Sequence, residues 1–194
     1  LFAGLLAILY NRSLLGTLVV ADRIGGPVEL RAAVIGAAVG ALAWTAPNLV
    51  GGGDNLTQMT LNGQLPLMLL PLFFLIRFVL GAASYAAATP GGLFAPLLLL
   101  GSLAGLAFGG ACDVTFPGMG LQIEAFAFVG MAALFAGVVR APLTGIVLVV
   151  EMTGSSALLL PLLAACFGAM VVPSVLRDEP IYEALRFRAA RRVR

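Results

Sequence analysis

Apolar residues run in long blocks along this chain, and short polar interruptions divide them into segments of membrane-helix length. Residues 1–20 make the first block, broken internally by the polar "YNRS" at residues 10–13. A polar stretch covers residues 22–31, and a second block covers residues 32–47. The Gly-rich "NLVGGGDNLTQ" at residues 48–58 reads as a polar break. Residues 65–88 form a long block with one charge, Arg77. Beyond "TPGG" a short block occupies residues 93–108, and "GGACDVTFPGMGLQIE" at residues 109–124 reads as a connecting loop. Residues 125–139 are apolar again until Arg140, Ala141 and Pro142 stop them. Residues 143–150 add about two turns, residues 157–176 form the last full-length span, and residues 181–188 make a short amphipathic piece.

A spanning helix needs about 20 apolar residues to cross about 30 Å of hydrocarbon. The blocks therefore predict an all-α integral membrane protein. Two of them, residues 93–108 and 143–150, are too short to span comfortably and are flanked by Gly or Pro. Lipid tolerates broken backbone only where protein or a watery cavity covers it, so such interruptions point to a transporter's binding site. "GAAVG" (residues 36–40) and "GSLAG" (residues 101–105) each place small residues four apart, the pattern of close helix contact.

Composition strengthens this picture. Of 194 residues, 61% are hydrophobic and only 10% charged, the balance of a chain dissolved in a bilayer. The opening residues carry neither a basic leader nor a small-residue cleavage site, so they read as part of a longer membrane protein, not as a signal peptide. The net charge is +2, and all eleven basic residues are Arg, six of them from Arg177 onward. An Arg-rich end beside a membrane span is expected to be cytoplasmic, with a membrane surface as its neighbour and no nucleic acid partner. The two cysteines, Cys112 and Cys166, form no CxxC pair, and the sequence has no histidine. No metal site or Cys/His nucleophile is expected, and both thiols read as small buried hydrophobes.

The chemistry concentrates at "TPGGLFAP". Pro90, Gly91 and Gly92 end one segment, and the next helix is expected to begin near Leu93 to Pro96. Pro suits a first helical turn, where the N–H it lacks has no intrahelical partner. The first N–H groups of a helix are unpaired, and its dipole adds roughly half a positive charge there. Glycines let a ligand approach, giving an anion site made of main chain. Partial charges hold an ion weakly enough to release it, as a conducting pathway requires. The other reading of the same residues is a re-entrant bend that only packs.

Four stretches in order resemble the CLC chloride channels and chloride/proton exchangers. "PGGLFAPLLLLGSLAGLAFG" (residues 90–109) resembles their GxFxP filter segment. "GMAALFAGVVRAPLTGIVLVVEMT" (residues 130–153) resembles the segment around their RAPLTG element. "GGGDNL" (residues 51–56) resembles a Gly-rich CLC loop, and "EPIYEAL" (residues 179–185) the final helix carrying the filter tyrosine. The resemblance implies a CLC-type bundle of tilted and broken helices, of which residues 1–188 are the second inverted-repeat half and residues 189–194 the start of an Arg-rich cytoplasmic tail. It implies anion transport and no enzyme activity. Chloride is the transported ligand, no cofactor is needed, and protons are a possible second substrate. The filter motif falls on Gly92, Leu93, Phe94, Ala95 and Pro96. The N–H groups of Leu93 and Phe94 and the hydroxyl of Tyr182 are implied to hold the central anion.

Leu93 stands where the family commonly has isoleucine, which leaves the same N–H exposed. The first half of a CLC protein supplies a serine-bearing filter loop and a GREGP-like stretch with the gating glutamate, and neither "GSGIP" nor "GREGP" occurs here. The expectation is a fragment that carries out no gated chloride transport alone, with channel and exchanger undistinguished. The family also implies a plasma or inner membrane location and a homodimer, with residues 143–176 contributing to its interface.

Other residues read more plainly. Arg77 is an intramembrane charge, functional by default, but here expected to cap a carbonyl or pair with a carboxylate. Arg140 is expected to be structural at the membrane boundary, Glu151 ends an apolar run where a proton relay is the functional reading, and Asp54 is expected to be solvated or capping. A rival enzyme reading is an intramembrane aspartyl protease, because "GGGD" (residues 51–54) fits GxGD. It needs a second aspartate facing Asp54, and Asp22, Asp113 and Asp178 all fall in polar connections. A third reading is a membrane scaffold that transports nothing.

Overall fold

Among the described residues the elements are α1 (Phe2–Ile24), α2 (Val28–Thr45), α3 (Asp54–Leu61), α4 (Leu70–Ala86), α5 (Phe94–Thr115), α6 (Ile123–Val139), α7 (Pro142–Thr153), α8 (Leu159–Val175) and α9 (Ile181–Arg192), with single 3₁₀ turns at Pro47–Leu49 and Leu67–Leu69. The computed structural model describes residues 1–88, 91–154 and 156–192, and only the backbone of Arg191 and Arg192. Thr89, Pro90, Ser155, Val193 and Arg194 lie outside the described residues, and with them the expected segment end at Pro90 and the last of the Arg-rich tail. Among the described residues four helices are long and apolar enough to cross a membrane: Phe2–Ile24, Val28–Thr45, Leu67–Ala86 and Phe94–Thr115.

Several expected boundaries move, each for a packing reason. "YNRS" does not interrupt α1, because its polar atoms have distant partners. Asn11 is buried and donates to Asp178 Oδ2 and to the Glu179 carbonyl, both at 3.2 Å. The polar stretch contracts to a turn at residues 25–27, where Gly25 (φ 67°) and Gly26 (φ 86°) take the left-handed backbone. The block expected to end at Phe108 continues to Thr115, so α5 is a 22-residue helix, and the connecting loop shrinks to residues 116–122. Gly109 and Gly110 are contact points there, not breakers. A Cβ on Gly109 would stand 2.9 Å from the Phe126 side chain, and one on Gly110 3.2 Å from Leu67. The eight-residue α3 starts inside the Gly-rich break at Asp54 and runs past it to Leu61. Of the two short segments only α7 remains short, with twelve residues spanning about 18 Å.

Lipid tails are as apolar as leucine, so helices in a membrane associate through close packing and hydrogen bonds more than through hydrophobic burial. Glycines supply that packing at the centre of the fold. A Cβ on Gly101 would lie 2.7 Å from the Gly130 carbonyl, one on Gly130 2.5 Å from the Gly101 carbonyl, and one on Gly105 would collide with the Phe126 carbonyl. The backbones of α5 and α6 thus touch, as "GSLAG" predicts. Around this crossing Leu97, Leu99, Leu103, Met131 and Ala136 are fully buried. Helix α1 meets α8 at Gly4, whose Cβ would be 2.5 Å from the Ala169 carbonyl.

The other small-residue face behaves differently. Nothing lies within 4 Å of a Cβ on Gly36 or Gly40, and α2 buries no residue at all. The close packing expected of "GAAVG" is therefore not made within these residues. Cys166 is buried as expected, whereas Cys112 is only half-buried on α5.

Candidate functional site

Helix α5 starts at Phe94, with Leu93 as its N-cap. Its first intrahelical bond runs from the Leu97 N–H to the Leu93 carbonyl at 3.0 Å. Pro96, the third helical residue, has no N–H to offer, while Phe94 and Ala95 precede the first i−4 acceptor. This end of the helix faces a cavity of about 260 Å³ between α1, α4 and the residues before α5. Gly91, Gly92 and Leu93 line it just before α5 and Pro96 from its first turn, and Tyr10, Arg77, Ser84 and Tyr85 line it from α1 and α4.

The filter motif divides between cavity and packing. Gly92, Leu93 and Pro96 border the cavity. The Phe94 ring turns away and meets Phe135 edge-on, with centroids 5.5 Å apart. Ala95 sits beside the glycine loop, its Cβ 3.7 Å from where a Cβ on Gly52 would stand. Tyr182, on α9, does not line the cavity and is half-exposed. Its phenol is nonetheless an electrostatic neighbour of Tyr10 and Tyr85, which do line it.

The chain has three tyrosines, at positions 10, 85 and 182, and the fold gathers all of them at this place. Sequence reading singled out Tyr182 alone. Tyr10 is 2% exposed, packs edge-on against Phe78, and its hydroxyl has no hydrogen-bond partner. A buried phenol ordinarily finds a partner, so three tyrosines in a lipid-soluble chain were a usable signal.

Arg77 is buried within α4 and donates to the Leu49 carbonyl at 2.9 Å and the Gly51 carbonyl at 3.2 Å. The carbonyl-capping role expected of it is thus present. It also explains "GGGD". Gly51 (φ 71°) and Gly53 (φ 90°) wrap the chain around the guanidinium, and a Cβ on Gly53 would collide with Nη2. One donor is left over, because Nη2 is buried without a hydrogen-bond partner.

Helix α9 is held by polar contacts at its base. Asp178 accepts from Asn11 and from Arg12 Nε at 3.3 Å, and Arg140 donates to Ser174 Oγ at 2.7 Å and to the Asp178 carbonyl at 2.9 Å. Arg140 takes a left-handed backbone at the end of α6 (φ 64°), which aims its side chain at the α8–α9 connection. Farther along, Arg188 pairs with Asp22. Removing Asn11 takes one donor from the part-buried Asp178 carboxylate, a loss of about 1 kcal/mol. Asn11→Ala is expected to speed hydrogen exchange in α9 and leave α5 unchanged. Equal protection in both proteins would mean that this contact does not hold α9.

Among the described residues the protease reading finds no second aspartate facing Asp54. Asp54 is exposed at the first residue of α3, without a side-chain cap. Asp22 and Asp113 lie in the last turns of α1 and α5, not in the polar connections expected of them. Asp22 and Asp178 are engaged by arginines. Asp113 is eighteen residues along α5 from Ala95, about 27 Å from the α3 end of that helix. Glu151 is exposed on α7.

These features define a multi-pass, all-α membrane protein in which the start of one helix borders a cavity. The chain belongs to the voltage gated chloride channel family, whose family model matches residues 1–174. It is 43% identical over 155 residues to an H(+)/Cl(-) exchange transporter ClcA of Vibrio parahaemolyticus, covering 80% of this chain and 33% of that protein. It is 40% identical over 186 residues to the ClcA exchange transporter of Cronobacter sakazakii, covering 94% of this chain and 40% of that protein. Among solved structures, a slow cyanobacterial Cl-/H+ antiporter superposes with a TM-score of 0.88 at 35% identity, over 97% of this chain and 44% of its own. A eukaryotic CLC transporter gives 0.80 at 27% identity, over 95% of this chain and 33% of its own. The chain thus spans a third to two fifths of the length of these curated relatives.

Proposed function

We propose that this chain forms the second half of a chloride/proton exchanger's membrane domain and supplies the main-chain side of its central anion site. The observation that carries the reading is the start of α5 opening onto a cavity whose lining, among the described residues, contains a cation and hydroxyls and no carboxylate. In this site the N–H groups of Leu93 and Phe94 face chloride, and the Tyr182 hydroxyl donates to the same ion. All three are neutral donors, which suits an ion that must leave again. Exchange is preferred to a channel because the relatives named above are exchangers. The chemistry is transport without covalent catalysis. The working protein is a homodimer in the cell's inner membrane, with α7 and α8 at the interface and α9 leading to a cytoplasmic C-terminus.

Calorimetric chloride titration of the full-length protein tests the role of Tyr182. Tyr182→Phe removes one hydrogen bond to an anion, and the expected result is an affinity about tenfold weaker with the thermal midpoint unchanged. Unchanged affinity would remove Tyr182 from the site.

A further inference from the structure

We propose that Arg77 is a positioning residue for the main-chain anion site, acting through the loop at residues 49–53, which it holds against the first two turns of α5. The proposal rests on the anion-transport reading above, and it gives Arg77 no contact with the ion.

A chain of contacts runs from α4 to α5. Arg77 Nη1 makes both of the guanidinium's hydrogen bonds, to the Leu49 carbonyl at 2.9 Å and to the Gly51 carbonyl at 3.2 Å. One nitrogen thus ties two carbonyls two residues apart and sets the curvature of the loop between them. Nη2 is enclosed against Gly53 and has no hydrogen-bond partner among the described residues. Gly53 also meets α5, because a Cβ on it would stand 2.5 Å from Leu99 Cδ2. Gly52 meets the first turn of the same helix, with 3.7 Å between the Cβ it lacks and the Ala95 Cβ. Ala95 and Leu99 are four residues apart and share one face of α5. The loop therefore fills the space between the guanidinium and the helix start.

Position matters here because a main-chain donor cannot adjust alone. A side chain in a loose site rotates to meet its ion, whereas the Phe94 N–H moves only with the backbone. Consecutive Cα atoms are held about 3.8 Å apart, so a shift of Ala95 carries the Phe94 peptide with it. Hydrogen bonds weaken steeply as their angle closes, and a small tilt of this peptide is enough to lose one. The cost of the arrangement also argues for a role. Arg77 is 6% exposed within a membrane span, where a charge is expensive, and a loop that needed only filling would be served by an apolar side chain.

Calorimetric chloride titration and thermal melts of the full-length protein, with two replacements at position 77, separate position from charge. Citrulline keeps the amino group that stands at Nη1 and puts a neutral oxygen in the place of Nη2, so both loop bonds remain while the charge goes. Lysine keeps the charge and loses the planar fork that reaches both carbonyls. The expected result is an affinity about tenfold weaker in Arg77→Lys, with the citrulline protein closer to the parent than to the lysine variant. Gly53→Ala forces Leu99 and the guanidinium apart and is expected to weaken binding in the same direction. Parental affinity in Arg77→Lys overturns the inference, even with a lowered thermal midpoint, because an arginine that only stabilises the fold moves the midpoint alone. Citrulline binding as weakly as lysine also overturns it, because the charge then acts on the ion. An ester in place of the Phe94 amide, titrated alongside, keeps the two readings apart. If the ester weakens binding and Arg77→Lys does not, only this inference falls. If the ester binds like the parent, the proposed function falls and this inference with it.

Discussion

Gly105→Leu is expected to leave no monodisperse protein after extraction from the membrane. Its Cβ would collide with the Phe126 carbonyl and stand 3.0 Å from the Gly130 Cα, so the added atoms meet backbone on the facing helix. A side chain in the way can rotate, but a carbonyl inside the hydrogen-bond ladder of α6 cannot move without unwinding it. Overpacking a well-filled core costs about 1–3 kcal/mol when side chains can adjust, and more when they cannot. Gly105→Ala should therefore lower the thermal midpoint already, and Gly105→Leu should separate α5 from α6 and spoil the cavity that α5 borders. Fluorescence-detected size exclusion and thermal melts measure this. The matched control is Gly36→Ala in α2, where a Cβ meets nothing within 4 Å and helix propensity favours alanine by roughly 0.5–1 kcal/mol. If Gly105→Leu eluted and melted like the parent, the α5–α6 crossing described here would be wrong.

Converting the amide of Phe94 to an ester is expected to weaken chloride binding by about tenfold or more and to slow exchange. The change replaces one N–H by oxygen and alters no side chain, so it tests the main chain alone. Phe94 is the first residue of α5, and its N–H precedes the first intrahelical acceptor, so the helix loses no internal bond. Hydrogen bonds to charged groups contribute about 1.5–3 kcal/mol, against about 1.4 kcal/mol for each tenfold in affinity. The same replacement at Leu99, inside α5, removes a ladder bond and should lower stability while leaving chloride affinity intact. Equal chloride affinity in the Phe94 ester and the parent would place the anion elsewhere.

Much of this was legible in the sequence because bilayer chemistry is blunt. Apolar blocks of sufficient length separated by Gly, Pro and charge define spanning helices whatever their neighbours. Pro96 after two glycines marked a helix start, and α5 begins two residues before it. Where sequence reading failed, long-range partners had changed the meaning of a local signal. Asn11 looked like an interruption because its partners, Asp178 and the Glu179 carbonyl, lie more than 160 residues away. Gly109 and Gly110 looked like breakers because nothing local announces that Phe126 and Leu67 press against them. "GGGD" offered an aspartate as its point of interest, whereas the fold uses its glycines to enclose Arg77.

By itself the sequence determined the solvent, the helical class, the α5 start and, through four ordered motifs, the family. Those properties depend on short-range patterns, and a bilayer leaves few ways to satisfy them. Only the tertiary structure decided which residues share the cavity. It brought Tyr10 from α1 and Tyr85 and Arg77 from α4 to the start of α5, with Tyr182 of α9 close by. It also separated two small-residue faces that look alike in sequence, closing Gly101 and Gly105 against α6 and leaving Gly36 and Gly40 open. The physical reason is the same in both cases. A donor, a glycine or a hydroxyl acquires its role from the atom it meets, and that atom is set by packing between helices distant in sequence.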